Sequence, residues 1–72
     1  MQDLANADRV ADRVRVLRQA RNLTQQTLAS HAGLALRTVA NLEAGQDVSL
    51  DTLRKLAAVL EVTVAELVGG RP

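Results

Sequence analysis

The feature that most constrains this chain is a helix-start signature that recurs along it: an apolar residue, a hydroxyl residue, and a second apolar residue about one turn further on. It appears as Leu23-Thr24 with Leu28, as Val48-Ser49 with Leu53, and as Val62-Thr63 with Leu67, where Glu66 completes a Thr-x-x-Glu capping box. The hydroxyl accepts from a first-turn amide that has no intrahelical partner, and the apolar pair staples the entry of the chain. Starts this frequent within 72 residues cut the chain into short helices. Such helices cannot lie side by side as a long bundle; they must cross and share one core.

Between the starts, the periodicity assigns the elements. Asp8 to Arg21 carries Val10, Val14 and Leu17 at helical spacing, with arginines on its other faces, and Asn22 is suited to the left-handed residue that closes it. A second helix runs from about Gln25 to Ala32, Gly33 turns the chain, and Ala35 through Glu43 forms a third helix ending at Gly45. Ser49 opens a fourth helix to about Leu60, burying Leu53, Leu56, Ala57 and Leu60, and Thr63 opens a fifth of one or two turns. No stretch alternates with a period of two, so the expected class is all-α, with five helices. Residues 1–7 and the Gly69-Gly70-Arg71-Pro72 end lack periodicity and are expected to be flexible, leaving 8–68 as the domain. A core of this size supplies only about 3–5 kcal/mol, which favours association with a second copy.

Composition removes several function classes. The chain has no Phe, Trp or Tyr, so it has no aromatic platform on which to stack the bases of single-stranded nucleic acid. It has no Cys and one His, so neither a thiolate nucleophile nor a zinc site is expected, and neither is an enzyme or a cofactor. No apolar run approaches the length of a membrane span, so the chain is expected to be cytoplasmic and not to engage membranes. The formal net charge is +1, but Arg9, Arg13, Arg15, Arg18 and Arg21 concentrate in the first segment. Arg9 and Arg13 are read as solvent or partner contacts, and His31 as an exposed residue at a helix end, without chemistry.

The second and third helices, joined at Gly33, have the layout of a helix-turn-helix, whose second helix can enter the major groove. Such a layout also occurs in proteins that do not bind DNA. The third helix adds to it: at about 100° per residue, Val39 and Leu42, with Ala35 beside them, form the core side, while Arg37 and Asn41 lie opposite, flanked by Thr38 and Ala40. Arg can pair with guanine O6 and N7, Asn with adenine N6 and N7, and Thr with either base type or a thymine methyl. The small Ala40 allows close approach.

The run NLTQQTLASHAGLALRTVANLEAG followed by VSLDTLRKLAAVLEVTVAELV resembles the lambda-repressor-like helix-turn-helix family of the Cro/cI or XRE type, over roughly residues 10–68. The resemblance rests on an Arg in helix one, Thr-Gln opening helix two, a Leu-Ala pair, the turn glycine, Leu-Glu-x-Gly closing the recognition helix and Ser-Leu starting helix four. It implies base reading by Leu36, Arg37 and Asn41, with Thr38 beside them, and a phosphate contact for Gln25 that also braces the recognition helix. Thr24, Gln26, Gln46 and Arg18 join Gln25 as phosphate-binding candidates. It further implies a structural ion pair between Arg18 and Glu43. The chain departs from the family pattern at Leu36, where a polar reader is usual, at Ala35, which replaces a Ser or Thr cap, at Ala44 and at Asp47.

Together these readings imply a sequence-specific binder of double-stranded DNA acting on transcription as a repressor and a homodimer on a pseudo-palindromic operator. Antitoxin, phage repressor and restriction-modification controller all stay open, as does a protein partner such as a toxin or polymerase. The alternative is an adaptor that uses the helix-turn-helix as a scaffold. The dimer interface is expected at Val62, Val64, Leu67 and Val68, because the last helix carries more apolar side chains than its length should bury.

Overall fold

In the computed structural model, the backbone is described for residues 2–68 and side chains for residues 9–68. The order is α1 (Gln2–Ala20), α2 (Gln25–Ala32), α3 (Leu36–Glu43), α4 (Leu50–Leu60) and α5 (Val64–Leu67), with no strand among the described residues. The class is all-α, as the periodicity requires. α1 begins at Gln2 and not at Asp8: residues 2–7 contain no Gly or Pro, so helix propensity extends the element beyond its apolar stripe. The expected tail at 69–72 lies outside the described residues.

The helices are closed and reopened by one repeated device. Asn22, Gly33 and Glu61 adopt left-handed φ values of 59°, 70° and 59°. After each, the next amide reaches back to the carbonyl five residues earlier: Leu23 to Arg18 at 3.1 Å, Leu34 to Ala29 at 2.8 Å and Val62 to Ala57 at 3.0 Å. These are Schellman closures, each with an apolar residue following the left-handed one. Leu23, Leu34 and Val62 all pack against the core, so one side chain anchors the end of one helix and the entry to the next. The caps then follow. Thr24, Ser49 and Thr63 accept from the amides of Thr27, Thr52 and Glu66 at 3.0, 3.1 and 3.1 Å, and Glu66 returns a bond to the Thr63 amide.

Val14 of α1, Leu28 and Ala29 of α2, Val39 and Leu42 of α3, Leu56, Ala57 and Leu60 of α4, and Leu67 of α5 form the buried core. α1 packs on α3 and α5, α2 on α3 and α4, and α4 on α5. Three sequence expectations are corrected here. Ala35 is exposed, because it is the extended N-cap of α3 and the helical wheel does not extend to it. Leu53 is only half-buried. Leu67 is wholly buried, so it belongs to the core and not to a dimer interface.

Candidate nucleic-acid interface

α3 presents two contrasting faces. Val39, Leu42 and Glu43 are buried on one. Leu36 and Arg37 are exposed, while Thr38, Ala40 and Asn41 are half-buried between the faces. Leu36, at 41% exposure, is therefore not packed away despite its apolar side chain. The side chains of Arg37 and Asn41 make no hydrogen bond to one another, and the Asn41 carbonyl, not its side chain, holds the turn that follows by accepting from Ala44 and Gln46. Arg37 and Asn41 thus lie on the outer side of the helix with Leu36 and Thr38 on its two flanks, all four at least partly accessible, with side chains that can donate, accept or meet a methyl group.

The end of α3 is anchored by Glu43. Its carboxylate accepts from Arg18 Nε at 2.7 Å and Nη2 at 3.0 Å, and from Gln25 Nε2 at 3.1 Å. Arg18 Nη1 also donates to the Leu23 carbonyl at 2.8 Å. One buried acid thereby ties α1 and α2 to the last residue of α3. Burial pushes the Glu43 carboxyl up, but bonds from Arg18 and Gln25 and the charges of Arg18 and Arg15 outweigh it and hold the group below its ordinary value. The same bond raises the Arg18 guanidinium further, against a smaller opposing effect of burial. Neither group is chemically available: this is a paired structural charge, with no proton to exchange near neutral pH.

The residues considered for phosphate contact divide. Gln26 and Gln46 are exposed and uncommitted. Thr24 is exposed, but its hydroxyl caps α2 and meets the Thr27 hydroxyl at 2.8 Å. Gln25 gives its amide to Glu43, which leaves its backbone N–H to face an anion. Arg18 is mostly committed to the protein: each of its three guanidinium nitrogens serves a protein acceptor and the side chain is nearly buried, which leaves it the least accessible of the phosphate candidates. At the start of α2 no acid occupies the first turn, and the amides of Gln25 and Gln26 have no intrahelical acceptor, which suits a phosphate oxygen. α3 likewise begins without a side-chain cap or an acid in its first turn.

Sequence reasoning missed Arg15. Its Nη1 donates to the Glu43 main-chain carbonyl at 3.0 Å, while its Nη2 is paired with Asp12. The available signal was its spacing of three from Arg18, which places both arginines on one side of α1. The expected dimer residues also separate: Val68 is exposed, Val62 and Val64 are half-buried against the core, and Leu67 is enclosed.

The helix-turn-helix family model HTH_3 matches residues 14–67. Among solved structures, the restriction-modification controller protein C.AhdI from Aeromonas hydrophila is 39% identical, with a TM-score of 0.82, and the match covers 88% of this chain and 97% of that one. An HTH_3 family transcriptional regulator from Vibrio cholerae has the same fold, with a TM-score of 0.83 at 24% identity over 93% of this chain, which corresponds to 38% of that longer protein. No curated protein matches the chain. A family match across all five helices, with a controller protein similar over nearly its full length, carries one conclusion: the chain belongs to the HTH_3 family of lambda-repressor-like helix-turn-helix DNA-binding regulators.

Proposed function

We propose that the chain represses transcription as a homodimer, binding a specific pseudo-palindromic sequence of double-stranded DNA in the cytoplasm, without cofactor or catalysis. The observation that carries this reading is the outer side of α3, where Leu36 and Arg37 are exposed and Thr38 and Asn41 are half-buried, on a helix held at its far end by Glu43. In this reading Arg37 and Asn41 read base edges and Leu36 meets a thymine methyl. Gln26, Gln46 and the first amides of α2 hold the backbone, which sets register without reading sequence. Among the regulator classes, the similarity to C.AhdI favours a restriction-modification controller over an antitoxin or a phage repressor. Dimer contacts fall to Val68, with Val62 and Val64 beside it.

The reading is tested by incubating the purified chain with a random duplex library and sequencing the bound fraction. Enrichment of an inverted repeat with half-sites about 10 bp apart is expected. Binding without enrichment, or no binding, would remove the specific regulator. It would leave the adaptor, for which capture of a toxin or polymerase partner is the positive result.

A further inference from the structure

We propose that Arg15 is a positioning residue for DNA recognition, acting as a side-chain cap on the C-terminal end of α3; this rests on the DNA-binding reading above. A helix ends with carbonyls that no intrahelical amide can reach. At the end of α3, the carbonyls of Ala40, Asn41 and Leu42 receive the amides of Ala44, Gly45 and Gln46 from the following turn. The next carbonyl, that of Glu43, receives Arg15 Nη1 from another helix, at 3.0 Å and across 28 residues of sequence. A cation at this point also complements the negative end of the helix dipole.

The bond is distinct from the Arg18–Glu43 pair. Arg18 holds the Glu43 side chain, whose rotamers leave the main chain some freedom, whereas Arg15 holds the main chain itself. Asp12, one turn earlier on α1, pairs with the other Arg15 nitrogen and aims the guanidinium. Asn41 lies two residues before the clamped carbonyl, and Arg37 lies a further turn away, near the unclamped start of α3. Loss of the clamp therefore shifts the Asn41 end of the helix relative to the groove more than the Arg37 end. Arg15 is partly exposed, so a direct phosphate contact is the rival role, and the two roles read out differently.

The test compares the wild-type chain with Arg15→Met and Arg15→Lys, using the selected operator and its single-base variants at several salt concentrations. Positioning predicts that Arg15→Met loses about tenfold in discrimination at the base pair assigned to Asn41. Discrimination at the Arg37 base pair and the slope of affinity against salt stay unchanged, and Arg15→Lys, which retains a donor, recovers part of the loss. A uniform loss across all sequences, with a salt slope reduced by about one, would assign Arg15 to a phosphate and overturn the proposal. So would Arg15→Met discrimination equal to wild type. Amide exchange on the free proteins supplies a readout independent of DNA: Ala44, Gly45 and Gln46 exchange faster in Arg15→Met if the clamp operates, and unchanged exchange overturns it. If the wild-type chain selects no duplex, the DNA reading falls and the recognition role falls with it, while the exchange data still report whether the clamp exists.

Discussion

Arg18 meets both carboxylate oxygens of Glu43, at 2.7 and 3.0 Å, across 25 residues of sequence, with the two side chains only 12% and 4% exposed. Water competes little for a pair so enclosed, and each partner has further bonds, Arg18 to the Leu23 carbonyl and Glu43 to Gln25. A buried pair contributes little net stability relative to a well-packed apolar pair, because both charges must first be desolvated. Its effect is asymmetric: either partner alone is strongly unfavourable there. The pair therefore specifies one docking of α3 on α1 and α2.

Removing the charge from one side exposes that asymmetry. Glu43→Gln strands the Arg18 guanidinium beside a neutral amide and should lower stability by about 3 kcal/mol, which for a domain of this size is a fall of more than about 10 °C in the melting midpoint. Thermal melting followed by circular dichroism measures it. A midpoint within a degree of wild type would mean that solvent reaches the pair freely and that it does not fix α3.

The same pair predicts the direction of the acid response. The folded Glu43 carboxyl ionises below its ordinary value of 4.5, because Arg18, Gln25 and Arg15 together outweigh the effect of burial. A group depressed on folding contributes stability fully above its unfolded value and loses it as the pH falls through the folded one. The gap in midpoint between wild type and Glu43→Gln should accordingly hold steady from pH 7 to about 5 and shrink below 4.5. A gap that is constant down to pH 2 would separate the stability difference from ionisation of Glu43.

Glu61 offers a change in the opposite direction. Its φ of 59° closes α4 in the left-handed region, where a side chain is disfavoured by about 1–2 kcal/mol. Its exposed contact to Arg21 at 3.6 Å returns little of that. Glu61→Gly relieves the backbone but adds freedom to the unfolded chain, so the net gain should be about 0.5–1 kcal/mol, a few degrees in midpoint. Differential scanning calorimetry showing a lower midpoint would contradict the assigned geometry.

The sequence made legible what depends on near neighbours and hid what depends on distant ones. Thr24, Ser49 and Thr63 could be read as caps because each hydroxyl serves an amide three residues away. Asn22 and Gly33 tolerate the left-handed conformation by residue type. Glu61 does not; it adopts that conformation because Val62 must turn into the core, a demand set by the whole fold. Leu67 was misassigned because counting apolar side chains on a one-turn helix does not show which way they point, and α5 faces both α1 and α4. Arg15 was missed because its acceptor is a main-chain carbonyl, which has no residue type to search for. The outer side of α3 was legible because helical periodicity alone separates it from Val39 and Leu42.

That outer side carries the specificity prediction. Arg37→Ala and Asn41→Ala should each weaken operator binding by about 1–3 kcal/mol and relax the preference at one base pair, since each bidentate contact discriminates by that amount. Neither residue enters the core, so the melting midpoint should stay near wild type. Competition against single-base operator variants gives the answer, and an unchanged base preference in both mutants would remove the assignment of α3 as the reading helix.

The proposed homodimer is tested at two neighbouring residues with opposite burial. A single α3 offers only a few readers beside the exposed acid Asp47, so one copy should bind weakly, while two copies related by a twofold axis place their recognition helices about 34 Å apart, one turn of DNA. Val68 is 45% exposed at the end of α5, whereas Leu67 beside it is fully enclosed. In a twofold interface a residue near the axis meets its own copy or a close neighbour of it. Val68→Glu then brings like charges together, and should give a folded monomer with weakened operator binding. Leu67→Glu places a charge in the core and should unfold the chain instead, so the two variants separate an interface effect from a folding effect. Sedimentation of the wild-type chain at micromolar concentration, with and without operator, is the deciding measurement: a monomer in solution and a single copy on the operator would exclude the homodimer, and an unchanged dimer in Val68→Glu would move the interface away from the end of α5.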